Sequence, residues 1–220
     1  MDLTEAMEKR HSVRAYTDRP VEADIREALA LCVQTYNRQG DLHMQLVYDE
    51  PEAFGGRMAR YGKFSGVKNY VALIGKKSDT LQERIGYYGE SLALTAQTLG
   101  LNTCWVALTY KKIKTAFTVE KGEKLCCVLA FGYGRDEGRP HPSKSVADVS
   151  SADNPPDWFI AGVKAALLAP TAMNQQKFRF TLDGNRVTAE KGAGFYTGID
   201  LGIAKRHFEL GAGAGNFVWA

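Results

Sequence analysis

A helix, an amide-rich turn and a strand occur twice in this 220-residue chain, and that repetition limits the available folds more than any other feature. A shift of 134 residues lays Ile25, Leu29 and Val33 on Phe159, Val163 and Leu167, and sets Met44 and Leu46 on Phe178 and Phe180. Between helix and strand stand Thr35-Tyr36-Asn37-Arg38-Gln39-Gly40 in the first copy and Ala169-Pro170-Thr171-Ala172-Met173-Asn174-Gln175-Gln176 in the second. The agreement lies in pattern more than identity, and it points to an internal duplication.

The second copy carries the denser set of hydrogen-bonding groups. Pro170 stops the preceding helix, because it lacks an amide hydrogen and its ring crowds the turn before it. Thr171, Asn174, Gln175 and Gln176 then offer hydroxyl and amide groups on a connection held between two regular elements, where binding groups are often placed. Read alone, the stretch is first of all a polar connector with Thr171 as a helix cap.

The remaining elements follow from spacing. Leu3, Ala6 and Met7 predict a short helix capped by Asp2. A second helix runs through Ile25, Ala28, Leu29 and Cys32, and strands are expected at His43–Tyr48, Tyr70–Ile74 and Leu125–Phe131. Arg84 to Leu99 is a helix closed by Gly100 in the left-handed cap position. Leu101 to Ala107 reads as a loop entering a short apolar stretch. Phe178–Leu182 and Val187–Glu190 form a hairpin around Gly184-Asn185, Tyr196–Leu210 is a helix, and Phe217-Val218-Trp219 is a terminal strand or tail. The Gly-, Pro- and Ser-rich segment from Arg135 to Asp153 is a linker between halves at 1–145 and 146–220. Within it Ser143 and Lys144 are either phosphate contacts or ordinary solvated groups.

Composition excludes several classes. No run reaches the roughly 18 apolar residues of a membrane-spanning helix, and the polar start Met1-Asp2-Leu3-Thr4-Glu5 is not a signal peptide, so a cytoplasmic protein is expected. A net charge of +3 gives no support for a nucleic-acid partner. The four cysteines show neither a CxxC pair nor a Cys/His zinc spacing, and His11, His43, His141 and His207 are scattered, so no metal site is expected. Gly211 to Asn216 is glycine-rich but follows a helix, which is not the context of a dinucleotide fingerprint. No GxxxxGK[ST] occurs.

One basic motif stands out near the start. Arg10-His11-Ser12-Val13-Arg14-Ala15-Tyr16 sets two permanently charged guanidinium groups and a hydroxyl within five residues, a set able to grip a phosphate. Alone it is also an ordinary basic loop. Together with two other stretches it resembles the FMN-dependent nitroreductase family. Arg10 to Tyr16 is similar to that family's Arg-x-Ser-x-Arg-x-aromatic signature, which grips the FMN phosphate and ribityl chain. Ala169 to Gln176 is similar to its Ala-Pro-Ser-x-x-Asn-x-Gln loop, which reaches the flavin from the partner subunit. Gly100-Leu101-Asn102-Thr103-Cys104-Trp105-Val106-Ala107 resembles its Gly-Leu-Gly-x-x-Trp segment beside the reactive edge of the flavin.

The resemblance implies an α+β fold, with a central, mostly antiparallel sheet flanked by helices and two pseudo-symmetric halves in one chain. It departs from the usual pattern in three ways. The better amide loop is the second copy, the C-terminal half is shorter than a full repeat, and Lys177 stands where the family has proline. These departures imply a single-chain pseudo-dimer with one good FMN site and a monomer as a possible state. The residues so implied are Arg10, His11, Ser12 and Arg14 for phosphate and ribityl, Lys63 and Ser65 for the pyrimidine edge, and the backbone at Trp105, Val106 and Ala107 near N5 or O4. Lys144 is a further phosphate candidate, and Thr171, Ala172, Asn174 and Gln176 come from the second half. The implied activity is transfer of electrons from NAD(P)H to a small acceptor such as a nitroaromatic or quinone, with no side chain acting as acid or base. A flavin-binding or sensory protein without turnover is the alternative, and fragmentation or dehalogenation chemistry on the same scaffold is a third.

Overall fold

The strand Asn69–Lys76 (β2) is buried at every position but its last, and one of the chain's two sheets is built around it. A near-continuous apolar run, Tyr70-Val71-Ala72-Leu73-Ile74, suits a strand covered on both faces. The computed structural model describes residues 1–220. Its sheets each have four strands, where a single central sheet was expected.

Two compact units divide the chain. The amino-proximal unit comprises residues 10–81 and 92–139; the carboxy-proximal unit comprises 1–9, 82–91 and 140–220. The partition expected from sequence lies at 145 and gives the second half none of the first 145 residues.

In the amino-proximal unit the sheet order is β1 (Gln45–Val47), β2, β4 (Glu123–Gly132), β3 (Asn102–Val106), with every pair antiparallel. Asn102 to Val106 is therefore a strand and not the expected loop. The register between β2 and β4 slips between Leu73 and Ile74, so Cys126 is the extra residue of a bulge while its neighbour Cys127 pairs with Leu73. All four cysteines are free thiols.

The helix α2 (Ala23–Gly40) runs through the segment that the sequence suggests as the first amide-rich turn. It ends at Asp41, whose left-handed φ of 46° brings its N–H onto Asn37 O. The Asn37 side chain is structural. Its Nδ2 donates to Met44 O at 2.9 Å and its Oδ1 accepts from Met44 N at 2.7 Å, fastening the helix end to the approach of β1.

The carboxy-proximal unit begins with α1 (Leu3–Lys9), whose N-terminus is capped by Asp2 accepting from Glu5 N at 2.8 Å. Its sheet has the order β5 (Ser150–Ser151), β6 (Phe178–Asp183), β7 (Arg186–Lys191), β8 (Val218–Trp219). The β6–β7 hairpin is antiparallel, and the short edge strands join in parallel. Within the expected linker lies α5 (Val146–Val149), started by a reciprocal cap between Ser145 and Asp148. The helices α6 (Asp157–Ala166) and α7 (Thr197–Ala212) share an aromatic core with the sheet, in which Phe180 stacks on Phe208 at 4.7 Å and Phe159 meets Phe208 edge-on at 5.7 Å.

The short helix α3 (Arg57–Tyr61) belongs to the amino-proximal unit, and the long helix α4 (Leu81–Thr98) contributes residues 82–91 to the carboxy-proximal unit and its remaining turns to the other. Residues 82–91 contain Glu90, which is fully buried like His207 of α7, and His207 Nε2 lies 2.9 Å from Glu90 Oε1. His207 Nδ1 donates to Ala165 O at 3.2 Å, so the three helical segments share one polar contact inside the unit.

Candidate functional site

The basic motif is drawn out as an extended ribbon along the amino-proximal sheet. Ser12 bridges in parallel to Thr103 of the edge strand β3, and Val13 N donates to Thr103 O at 3.1 Å. Ala15 bridges to Ser65, where Tyr16 N donates to Ser65 O at 2.9 Å and Ser65 N to Arg14 O at 3.0 Å. Extended backbone alternates its side chains. Val13 is buried at 1% exposure between the half-buried Ser12 and the exposed Arg14, as that alternation requires, whereas Tyr16, of the same parity as Arg14, is buried at 2% and departs from it.

This ribbon brings the Arg10–Arg14 motif, the Lys63–Ser65 turn and the start of the Trp105–Ala107 segment to one edge of one sheet. Gly66 makes the turn possible: its φ is +69°, and a Cβ there would fall 2.3 Å from Tyr16 O. Lys63 is itself left-handed, with φ 62°. Trp105 and Val106 end β3, and Ala107 is the first residue beyond it.

Positive charge pervades this edge. Arg14 holds its guanidinium 5.9 Å from the centre of the Phe64 ring. Burial pushes the Cys104 thiol up against the opposing pull of Arg14, Arg10 and the Ser12 hydroxyl. Burial likewise drives the Tyr16 hydroxyl well up, with Arg14 and Arg10 pulling it down. Arg10 is 2% exposed, so its charge is felt from within the fold. At the position paired with Ser12, Thr103 Oγ1 is buried and has no hydrogen-bond partner. An orphaned hydroxyl costs about 1–3 kcal/mol, and at 0% exposure this one lies inside the fold; the groups at this edge that fit an anionic, oxygen-rich group are the exposed Arg14 and the half-buried Ser12.

The second set of expected residues lies in the carboxy-proximal unit. Thr171 to Gln176 form a tight turn containing three non-glycine residues of positive φ, Met173 at 53°, Asn174 at 52° and Gln176 at 44°. The αL conformation of Gln176 accounts for Lys177 standing where related loops have proline, because a following proline restricts the preceding residue to extended backbone.

Most of the amide groups are engaged inside this unit. Gln176 is 1% exposed; its Oε1 accepts from Lys144 N at 2.8 Å and its Nε2 donates to Asn174 Oδ1 at 3.1 Å. Asn174 Nδ2 donates to Pro142 O at 2.7 Å. Lys144 Nζ donates to Gln176 O at 2.9 Å, tying the expected phosphate contact to the turn. Thr171 does not cap a helix with its side chain, contrary to the plain reading of the sequence; its Oγ1 accepts from Gln176 N at 3.1 Å. Its hydroxyl proton and the charge of Lys144 are what this turn offers outward.

Two contributors, Thr103 and Asp200, are not evident from sequence. Thr103 sits in a stretch with the polarity of a loop, and its place beside Ser12 depends on a strand pairing across about ninety residues of chain. Gln175 and Asp200 are linked at 2.7 Å, and Asp200 is nearly fully buried. The available signal is a lone acid in the apolar run Ile199-Asp200-Leu201-Gly202-Ile203-Ala204. Burial pushes the Asp200 carboxyl up to about 6, against the lowering effect of the Ala172 N–H and the Gln175 amide.

A protein-family model described as "Putative TM nitroreductase" matches residues 2–212. No curated protein matches the sequence. Among solved structures, a putative nitroreductase from Thermotoga maritima superposes with a TM-score of 0.69 at 20% identity, covering 96% of this chain and 83% of that one. A putative nitroreductase from Desulfovibrio desulfuricans, crystallised in complex with FMN, gives 0.53 at 16% identity over 70% of this chain and 99% of that one. A putative NADH dehydrogenase/NAD(P)H nitroreductase from Parabacteroides distasonis gives 0.51 at 21% identity over 70% and 99%. At these identities the superpositions speak for the fold.

Proposed function

We propose a function from one premise: this chain belongs to the nitroreductase family whose model matches residues 2–212. The reading is an FMN-dependent oxidoreductase that draws electrons from NAD(P)H and delivers them to a small acceptor such as a nitroaromatic or quinone. The observation that carries it is the ribbon from Ser12 to Tyr16, which holds the half-buried Ser12 and the exposed Arg14 at the sheet edge through backbone pairing with Thr103 and Ser65. The FMN complex of the Desulfovibrio structure and the printed name of the Parabacteroides one lend support to flavin and nicotinamide respectively.

In this reading Arg14 and Arg10 neutralise the phosphate, and Ser12 with His11 lines the ribityl chain. Lys63 and Ser65 take the pyrimidine edge, and the backbone from Trp105 to Ala107 donates to the isoalloxazine. Of the second set, Thr171 and Asn174 are the contacts, with Lys144 adding charge, while the buried Gln176 and the Ala172 N–H hold the turn in place. FMN, when bound, supplies the two-electron chemistry between nicotinamide and acceptor, while the chain supplies position and electrostatics. No acid–base side chain is assigned.

The pseudo-dimer is part of the same proposal. Helix-then-strand units at α2–β1 and α6–β6 support it, since Leu29 and Val163, Val33 and Leu167, and Met44 and Phe178 are buried at equivalent places in the repeat. A monomeric, cytoplasmic enzyme completes the reading; none of the helices is long and apolar enough to cross a membrane.

Steady-state NAD(P)H oxidation with a quinone acceptor tests the function. Turnover by the FMN-loaded chain above that of free FMN is the expected result. Retention of FMN without such turnover would favour a flavin-binding or sensory role.

A further inference from the structure

The turn carrying Thr171 and Asn174 is fastened by a buried acid. Asp200 lies in the first turn of α7 and is 2% exposed. Its Oδ1 accepts from Ala172 N at 2.9 Å, and its Oδ2 accepts from Gln175 Nε2 at 2.7 Å. The same Gln175 nitrogen donates to Phe195 O at 2.9 Å. One carboxylate and one amide thus join the 171–176 turn, the loop before α7 and the helix itself. Lys177 adds a bond from its Nζ to Ala193 O at 2.9 Å.

The turn requires such fastening. Three of its six residues hold left-handed backbone without being glycine, a conformation that persists only where the surroundings impose it. Tyr196, at the entry to α7, is left-handed as well, with φ 61°. Two adjoining loops in unfavourable backbone states meet at Asp200. Its hydrogen-bond partners there are neutral donors, so the charge gains no ion pair in return for its burial, and a neutral side chain would fill the same space at lower cost. What the carboxylate offers beyond packing is two acceptor oxygens aimed at two separate donors. Asparagine keeps one acceptor and turns a donor toward Gln175 unless the Gln175 amide reverses, which breaks the bond to Phe195.

We propose that Asp200 is a positioning residue for the cofactor-facing turn, acting through Ala172 N–H and the Gln175 side chain. The inference rests on the FMN reading above. Asp200 itself touches neither cofactor nor acceptor; it fixes where Thr171 and Asn174 are held.

The test compares the full chain with Asp200→Asn and Gln175→Ala, and with the core variant Val187→Ala as a control for general loss of stability. Amide hydrogen exchange of peptides spanning 171–176 and 192–197 reads the fastening directly. FMN titration, followed by flavin fluorescence and by the visible circular dichroism of the bound flavin, reads its consequence. Expected are about tenfold or greater acceleration of exchange in both peptides, weaker FMN binding and an altered dichroism spectrum for Asp200→Asn and Gln175→Ala, with Val187→Ala retaining the native spectrum. Unchanged exchange overturns the fastening whatever the flavin does. Faster exchange with the native dissociation constant and spectrum overturns the positioning role. A flat FMN titration of the unmodified chain overturns the parent reading and is seen before any variant is compared. Should Asp200→Asn fail to fold, Gln175→Ala carries the same comparison.

Discussion

Gly86 and Gly202 meet where α4 and α7 cross: a Cβ built on Gly86 would lie 3.0 Å from Gly202 Cα and 2.0 Å from Ile199 O. The reverse substitution is as severe, since a Cβ on Gly202 would fall 2.0 Å from Glu83 O. Backbone confronts backbone here, so no side-chain rotation relieves a clash. Both residues belong to the carboxy-proximal unit, whose core depends on this close approach.

Gly202→Ala is therefore expected to destabilise, even though alanine is the better helix former. Propensity favours the change by roughly 1 kcal/mol, and forced separation of packed helices costs about 1–3 kcal/mol or more. A thermal melt should show a loss of several degrees, about 2–4 °C for each kcal/mol in a chain of this size. A gain in Tm would show that the crossing can relax.

The buried pair His207 and Glu90 yields a second expectation. With Nδ1 donating to Ala165 O, the bond between Nε2 and Glu90 needs a proton held within the pair. His207→Ala opens a cavity and strips a buried carboxyl of this partner, and loss of one member of such a pair costs about 3–5 kcal/mol. Chemical denaturation should show a midpoint shift of that order.

The pH dependence of stability follows from Asp200. Its carboxyl is pushed up to about 6 in the fold from an ordinary value of 3.8. Between these values the folded chain holds a proton that the unfolded chain has released. The sign is thus that acid favours folding: the contribution is fully present below about pH 4 and is lost as pH rises through about 6. Relative to Asp200→Asn, which cannot titrate, the native chain should gain roughly 2–3 kcal/mol between pH 7 and pH 4. A constant difference between the two melts across that range would contradict the assignment. Carboxylates held low, such as Glu22 beside Tyr133 and Arg19, act with the opposite sign but are common to both proteins.

Arg14 carries the phosphate assignment. It is exposed and stacked near Phe64, so truncation should leave the fold intact. Loss of a hydrogen bond to a charged group is worth about 1.5–3 kcal/mol, and Arg14→Ala should weaken FMN binding by about tenfold or more. Arg14→Lys, which keeps the charge without the fork, should fall between. Unchanged affinity by isothermal titration would move the phosphate elsewhere.

Local chemistry makes several elements legible in the sequence. Asp2 as a cap, Gly100 with φ 81° after α4, and the Gly184-Asn185 hairpin each depend on residues within a few positions of one another. Sequence and structure part where tertiary contacts override local preference. Thr35 to Gly40 has the polarity of a turn, yet its helix continues because Asn37 finds its partners in Met44 across the helix end. Asn102 to Val106 has polar residues at its start, as a loop would, but pairing with β4 makes it a strand. The candidate site divides in the same way. Arg10, Ser12 and Arg14 are visible as a motif, whereas Thr103 and Asp200 acquire meaning only through bonds to distant segments.

Everything proposed for the sheet edge and the 171–176 turn depends on this chain holding FMN. The decisive measurement is the visible absorption spectrum of the purified protein, before and after incubation with FMN and removal of the excess, with mass spectrometry of whatever is released on denaturation. Flavin bands that stay with the protein, and a released molecule with the mass of FMN, are expected. A colourless protein that takes up no added FMN would contradict the assignment.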